Sequence, residues 1–187
     1  MKIHSPAFAL AVIFLILSSG GFAYRAVAAT PVDCSVESLI EAIRQANTDA
    51  GSVPQTLDLS DGCQYTLSET NNSGDHGANG LPQITVNLII KGNNSIIERS
   101  SQRETPMFRI FQVNAGASLS LEGLTLQNGH NDLSNQDEEG GAIFNRGTLE
   151  ISKCAILNNL SGCGGAIYNY NKLTVTNTTF VGNVANM

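Results

Sequence analysis

The stretch Gly140-Gly141-Ala142-Ile143-Phe144-Asn145 returns 24 residues later as Gly164-Gly165-Ala166-Ile167-Tyr168-Asn169, and this return decides the fold. At the same offset Leu149 meets Leu173, Ile151 meets Val175, Ile156 meets Phe180 and Asn159 meets Asn183; seven of the 24 positions are identical. A weaker copy precedes them in 114–129, where Leu119, Leu121, Leu124 and Leu126 take the places of Leu149, Ile151, Cys154 and Ile156 after a one-residue insertion. Strand-rich repeats of this period mark a stacked architecture. A propeller blade needs about 40 to 45 residues, and a leucine-rich repeat needs a helical segment that is missing here. Three short strands at about 3.3 Å per residue, joined by bends, use up such a period in one circuit, and successive circuits can stack with parallel hydrogen bonding. The expectation is an all-β chain: a parallel β-helix, a solenoid of about four to six coils.

Stacking gives the composition a role. Gly, Asn, Ser and Thr make up 67 of the 187 residues, which disfavours a helix bundle, because these types compete with or loosen the helical backbone and favour turns. Asn145 over Asn169 and Asn159 over Asn183 are expected to form amide ladders. Gly140, Gly141, Gly164 and Gly165 are expected at tight coil corners. A net charge of −6, without any basic cluster, excludes a nucleic-acid reader, which needs a Lys/Arg face to displace counterions.

Lys2, the apolar run from Ala7 to Leu17 and the small residues Ala26 to Ala29 have the three-part build of a secretory signal, assigned to 1–29. The run is too short for a comfortable membrane span, so no transmembrane segment is expected after cleavage. A secreted, extracellular or outer-membrane-surface location follows. Export permits disulfides, and Cys34, Cys63, Cys154 and Cys163 allow three pairings. The sequence-local one, Cys34 with Cys63 and Cys154 with Cys163, is preferred; buried free thiols are the alternative. No zinc spacing is present.

Val36, Leu39, Ile40, Ile43 and Ala46 form one helical stripe, with Ser35 as N-cap and Arg44 in the last turn. Residues 30–67 therefore read as an N-terminal cap, an amphipathic helix over 35–47 followed by strands on either side of the Asp61-Gly62 turn. Residues 68–80 read as an irregular polar loop, and 81–187 as coils with strands at Ile84 to Ile90, Ser95 to Glu98, Phe108 to Val113, Ser118 to Leu121 and Leu124 to Leu126. No cap or anchor closes the C-terminal coil, so the array reads as truncated or uncapped there, with an edge prone to self-association.

GGAIFN…GTLEI and GGAIYN…LTVTNTTFVGN resemble the repeats of polymorphic outer-membrane proteins and related bacterial surface proteins with a pectin-lyase-like β-helix. Ser38 to Asn47 (SLIEAIRQAN) is similar to the SLREAIxxAN helix of the CSLREA-type N-terminal region. In that pattern Cys directly precedes the Ser, whereas Glu37 stands here and Cys34 lies earlier. Thr56 to Leu59 and Gly62 to Leu67 are similar to the strands that follow. The resemblance covers nearly all of the chain beyond the signal, and it implies a right-handed parallel β-helix with a capping helix at its N-terminal end, on a cell surface.

Chemistry is thinner. The candidates for acid, base or cation-binding roles are His76, His130, Asp132, Asp137, Glu138, Glu139 and Arg146. Asp137, Glu138 and Glu139 offer three carboxylates to Ca²⁺, but the alternate-ligand spacing with a central Gly is absent, so a solvated acidic loop is the plainer reading. A paired-carboxylate glycosidase needs two acids facing each other, and Glu150 becomes Thr174 one repeat later. Neither a catalytic residue nor a cofactor is assigned. The expected function is a non-catalytic, adhesin-like or structural scaffold for a protein or glycan at a cell surface; the alternative is a polysaccharide-active, pectinase- or lyase-like enzyme or its remnant.

Overall fold

Ser-Leu-Ser-Leu-Glu at 118–122 and Thr-Leu-Glu-Ile-Ser at 148–152 alternate apolar and polar residues, the period that turns every second side chain of a strand to one face. In both, the two apolar side chains are buried. The computed structural model describes residues 28–49, 53–74, 76–131 and 139–186. Among these, short strands in parallel sheets dominate, with one α-helix, so the chain is all-β.

The first sheet takes β1 (Thr30–Val32), β2 (Gln55–Leu59), β6 (Asn87–Lys91), β9 (Ser118–Glu122), β12 (Thr148–Ser152) and β16 (Lys172–Thr176), in that order. The second takes β3 (Gln64–Leu67), β7 (Ile96–Arg99), β10 (Thr125–Gln127), β13 (Ala155–Leu157) and β17 (Thr179–Val181). The third takes β8 (Phe111–Val113), β11 (Ile143–Asn145) and β15 (Ile167–Asn169), and β14 (Leu160–Ser161) pairs with β18 (Val184–Ala185). Spatial order thus repeats chain order, and every one of these pairings is parallel. Register places like on like: Leu57, Ile90, Leu121, Ile151 and Val175 form one column, and Tyr65, Ile97, Leu126, Ile156 and Phe180 another. Each buried Leu or Ile in such a column contributes about 1.5–3 kcal/mol.

The corners are columns too. Gly123, Lys153 and Asn177 share positive φ, as do Asn128, Asn158 and Gly182, and each set recurs at the spacing of the strands beside it. Gly and Asn adopt this left-handed conformation at least cost; Lys153 does not belong to either type and carries the strain at its corner. At the third corner Gly140 and Gly164 have φ of 76° and 65°. A Cβ on Gly141 would collide with the carbonyl oxygen of Gly165, so the backbones pass too closely there for any side chain.

The helix α1 (Val36–Thr48) starts at Ser35, whose Oγ accepts from Ser38 N at 3.1 Å, and buries Leu39, Ile43 and Ala46. It ends one residue later than expected, leaving Arg44 short of the last turn. It packs against β1 and β3. Asn47 fastens its C-terminal end by donating to Gln83 O at 2.8 Å and accepting from Thr85 N at 3.0 Å. The Cys34–Cys63 disulfide ties its start to the turn before β3.

Several expectations need correction. Cys154 and Cys163 are not bonded to each other. The Cys154 thiol is buried in the core at the corner between the first two sheets, against Leu121 O and Ser152 O, whereas Cys163 lies beside Glu139 near the third sheet. The expected strand Ile84 to Ile90 bends: Ile84 bridges Val113 of the third sheet, and the first-sheet strand begins only at Asn87. The insertion in the earlier copy lies ahead of Leu119 and is two residues rather than one: Val113 pairs with Asn145 but Ser118 with Thr148, after which Leu119, Leu121 and Leu126 stay in register with Leu149, Ile151 and Ile156. Finally, 68–80 is not irregular throughout. It carries an antiparallel hairpin, β4 (Asn72–Gly74) with β5 (Gly77–Asn79).

Beyond β12 and β13 the apolar columns come to the surface. Leu173, Val175 and Phe180 stand over buried residues by register, yet each is exposed.

Candidate functional site

The outer face of the third sheet collects more chemistry than any other described surface. Gly74 and Gly77 let the hairpin approach it closely: a Cβ on Gly77 would lie 2.7 Å from Arg109 Nη2, and one on Gly74 would meet the Gln112 amide. Arg109 is fully buried and pins the hairpin down. Its guanidinium donates to Glu139 O at 2.7 Å, to His76 O, and through Nε to Ala78 O at 3.5 Å, while lying 5.0 Å from the centre of the Phe144 ring. Carbonyl acceptors and an aromatic face compensate the loss of hydration that burial of an arginine costs.

Phe144 explains the packing. Its neighbour Ile143 belongs to the interior core, so Phe144 points outward, yet it is buried because the hairpin covers it. The His76 ring lies 4.8 Å from it, and Tyr168 and Tyr170 lie 6.3 and 5.8 Å away, with Tyr168 and Tyr170 themselves 5.1 Å apart. Glu139 closes this cluster: His76 Nδ1 approaches Oε2 at 3.2 Å, and the Tyr170 hydroxyl donates to Oε1 at 3.3 Å. The negative charge of Glu139, with help from a hydrogen bond to Tyr170, pushes the Tyr168 phenol up to about 12.

Beside the aromatic cluster runs a hollow of about 390 Å³, lined by Ser73, Gly74, Gln83, Gln112, Asn114, Ala115 and Arg146. Its amides are chained. Asn79 Nδ2 donates to Gln112 Oε1 at 3.1 Å, Gln112 Nε2 to Asn114 Oδ1 at 3.0 Å, Asn114 Nδ2 to Gln83 Oε1 at 3.0 Å, and Gln83 Nε2 to Asn72 Oδ1 at 3.3 Å.

On the second sheet a different polar cluster surrounds Glu98, which accepts from Gln64, Thr66, Gln127 and Asn128. Burial pushes its carboxyl up, but the four donors outweigh that and hold it below the usual glutamate value. All four partners are side chains of the same protein, so the cluster is a structural staple across β3, β7 and β10.

Of the candidates read from sequence, His76, Glu139 and Arg146 meet on the third sheet, the first two in contact and Arg146 in the neighbouring hollow. His130 instead bridges Phe108 and Leu160 along the backbone. Asp132, Asp137, Glu138 and nearly all of the segment 1–29 lie outside the described residues. Among the described residues no group of three His, Cys, Asp or Glu side chains could hold a metal ion, and Glu139 faces an imidazole and a phenol rather than carboxylates. The amide ladder atoms do meet: Asn145 Nδ2 donates to Asn169 Oδ1 at 2.6 Å, and Asn159 Nδ2 to Asn183 Oδ1 at 2.8 Å. Sequence reasoning missed Arg109, Tyr168, Tyr170 and the Gln83–Gln112–Asn114 chain. The aromatic substitution of Phe144 by Tyr168 within the repeat, at a position flanked by core residues, was the available signal. No family model, curated protein or solved structure matches the chain.

Proposed function

We propose that the chain is a right-handed parallel β-helix serving as a non-catalytic binding scaffold, secreted or held at a cell surface, that engages its partner through the outer face of the third sheet. The carrying observation is the asymmetry of that face. A hairpin, a buried arginine and a chain of locked amides build a polar hollow next to the exposed Tyr170 and the half-buried Tyr168. Handedness is supported by the rule that crossovers between parallel strands of one sheet are right-handed in nearly all proteins. The resemblance of the GGAIYN repeats and the SLIEAIRQAN helix to polymorphic outer-membrane and CSLREA-type proteins supports the surface role. The Cys34–Cys63 disulfide is at home in an oxidising compartment. No helix among the described residues is long and apolar enough to cross a membrane.

A polysaccharide-cleaving enzyme is the competing reading, favoured by Glu139 touching both His76 and Tyr170. Paired-carboxylate hydrolysis asks for a second acid across the scissile bond. The test combines a glycan array and a surface-protein pull-down with a turnover assay on polysaccharides. Capture without turnover supports the scaffold; turnover lost in Glu139→Gln refutes it.

A further inference from the structure

We propose that the hollow lined by Gln83, Gln112, Asn114 and Arg146, together with the exposed ring of Tyr170, is a site for an uncharged oligosaccharide. This rests on the scaffold reading above and names its ligand class. Register supplies the geometry. The pairing of Ile84 with Val113, and of Val113 with Asn145 and Asn169, makes Gln83, Gln112, Phe144 and Tyr168 one outward column, and Asn114, Arg146 and Tyr170 a second at the adjoining corner. Backbone bonds from Arg146 N to Val113 O and from Tyr170 N to Asn145 O keep that corner in step. With strands about 4.8 Å apart, four positions span roughly 14 Å, amides at one end and aromatic rings at the other.

Each part fits a neutral sugar. In the chain of amides every network bond uses one N–H and one oxygen lone pair, leaving a second N–H and a second lone pair on Gln112 and Asn114 for hydroxyl groups. The same chain holds the amides in place before a ligand arrives, so little side-chain entropy is lost on binding. The Arg146 side chain is exposed, and among the described residues no carboxylate pairs with it, so its planar fork is available to two neighbouring hydroxyls. Tyr170 is 58% exposed although its hydroxyl is anchored on Glu139, which presents a rigid ring face to the weakly positive C–H face of a pyranose. Charge decides against acidic sugars. The protein carries a net charge of −6, and the Glu139 carboxylate, largely shielded from water, stands at the aromatic end and repels carboxylates and sulfates.

The experiment uses the whole protein on an array of neutral and acidic oligosaccharides, followed by calorimetric titration with the best neutral hit. Tyr170→Ala, Arg146→Ala and Gln112→Leu should each weaken binding tenfold or more. Tyr170→Phe should keep most of it, and Lys153→Ala, in a surface ion pair with Glu122 away from the hollow, should change nothing. Circular dichroism checks that each variant retains the β-fold; Tyr170 and Arg146 are exposed, so their removal leaves the core intact. Neutral binding that ignores both Tyr170→Ala and Arg146→Ala overturns the site. Selective binding of acidic glycans or of a protein, lost in the same variants, overturns the ligand class and leaves the scaffold standing. Absence of binding to every class overturns both.

Discussion

Replacing Asn159 by alanine tests whether the polar ladders hold the stacked strands together or merely tolerate burial. Asn159 is fully buried. Its Oδ1 accepts from Gly129 N at 2.8 Å, and its Nδ2 donates to Asn183 Oδ1 at 2.8 Å and, more weakly, to Leu126 O at 3.4 Å. One amide thus joins three consecutive passes of the chain. Each net hydrogen bond is worth about 1 kcal/mol, and the orphaned Gly129 N–H, buried with no access to water, adds a desolvation penalty of about 1–3 kcal/mol. Asn159→Ala should therefore cost about 3 kcal/mol, which for a chain of this size lowers the melting temperature by about 6–12 °C. Asn183→Ala should cost about 2 kcal/mol: its Oδ1 accepts from both Asn159 N and Asn159 Nδ2 and its Nδ2 donates to Ile156 O, but Asn183 is only partly buried, so water replaces part of what is lost. The double variant should lose less than the sum, since both single changes remove the shared bond. Urea titrations of the four proteins give the cycle. A loss below about 1 kcal/mol for Asn159→Ala, or strict additivity in the double variant, would refute the ladder as a stabilising element.

Serine at both Cys34 and Cys63 opens a loop with a sequence separation of 29 and should cost about 3.5 kcal/mol by chain-entropy reasoning, while the unreduced, denatured protein should titrate two free thiols, Cys154 and Cys163, rather than none or four. Gly141→Ala drives a methyl into the Gly165 carbonyl and should cost at least about 2 kcal/mol in a chemical melt; a neutral result would mean that the corner backbones can separate freely. Glu98 has a folded-state pKa below its ordinary value, so its stabilisation is present above the usual glutamate range and is lost as pH falls through the folded value. The stability advantage of the wild type over Glu98→Gln should shrink steadily between pH 6 and pH 3, and an advantage that grows on acidification would reverse the assignment.

What could be read before any coordinates was the interior. Leu149 over Leu173 and Ile156 over Phe180 are paired in register because inward positions see only the residue one pass earlier or later, so a period in sequence becomes a column in space. The helix was equally legible, because its stripe of Leu39, Ile43 and Ala46 and its Ser35 cap are local features. The candidate site was not. Arg109 sits in Met-Phe-Arg-Ile-Phe, a run that alternates like any strand, and only the arrival of the hairpin from 30 residues upstream turns its guanidinium into a buried anchor. The second disulfide failed for a related reason. Cys163 stands only nine positions after Cys154, but a bend between them sends one thiol to the core and leaves the other beside Glu139.

The place of the site nevertheless has a cause that the repeat itself contains. Between Ile143 and Ile167, or Ile156 and Phe180, the chain returns to the same sheet after 24 residues, whereas Leu119 to Leu149 and Leu126 to Ile156 each take 30, and Tyr65 to Ile97 takes 32. A circuit of 24 already closes the stack, so the surplus has no room inside and must leave the core. Part of it leaves as the hairpin between β3 and β6. Glu139, four residues before β11, meets His76 of that hairpin over the third sheet. Strands that only stack need outward side chains that are soluble and nothing more; strands overlain by extra chain acquire buried polar groups that must be satisfied, as the guanidinium of Arg109 is by the carbonyls of His76 and Ala78 and the amide oxygen of Gln112 is by Asn79 of the hairpin. In a repeat protein of this kind the departures from the period, rather than the period, mark the surface on which function can be built.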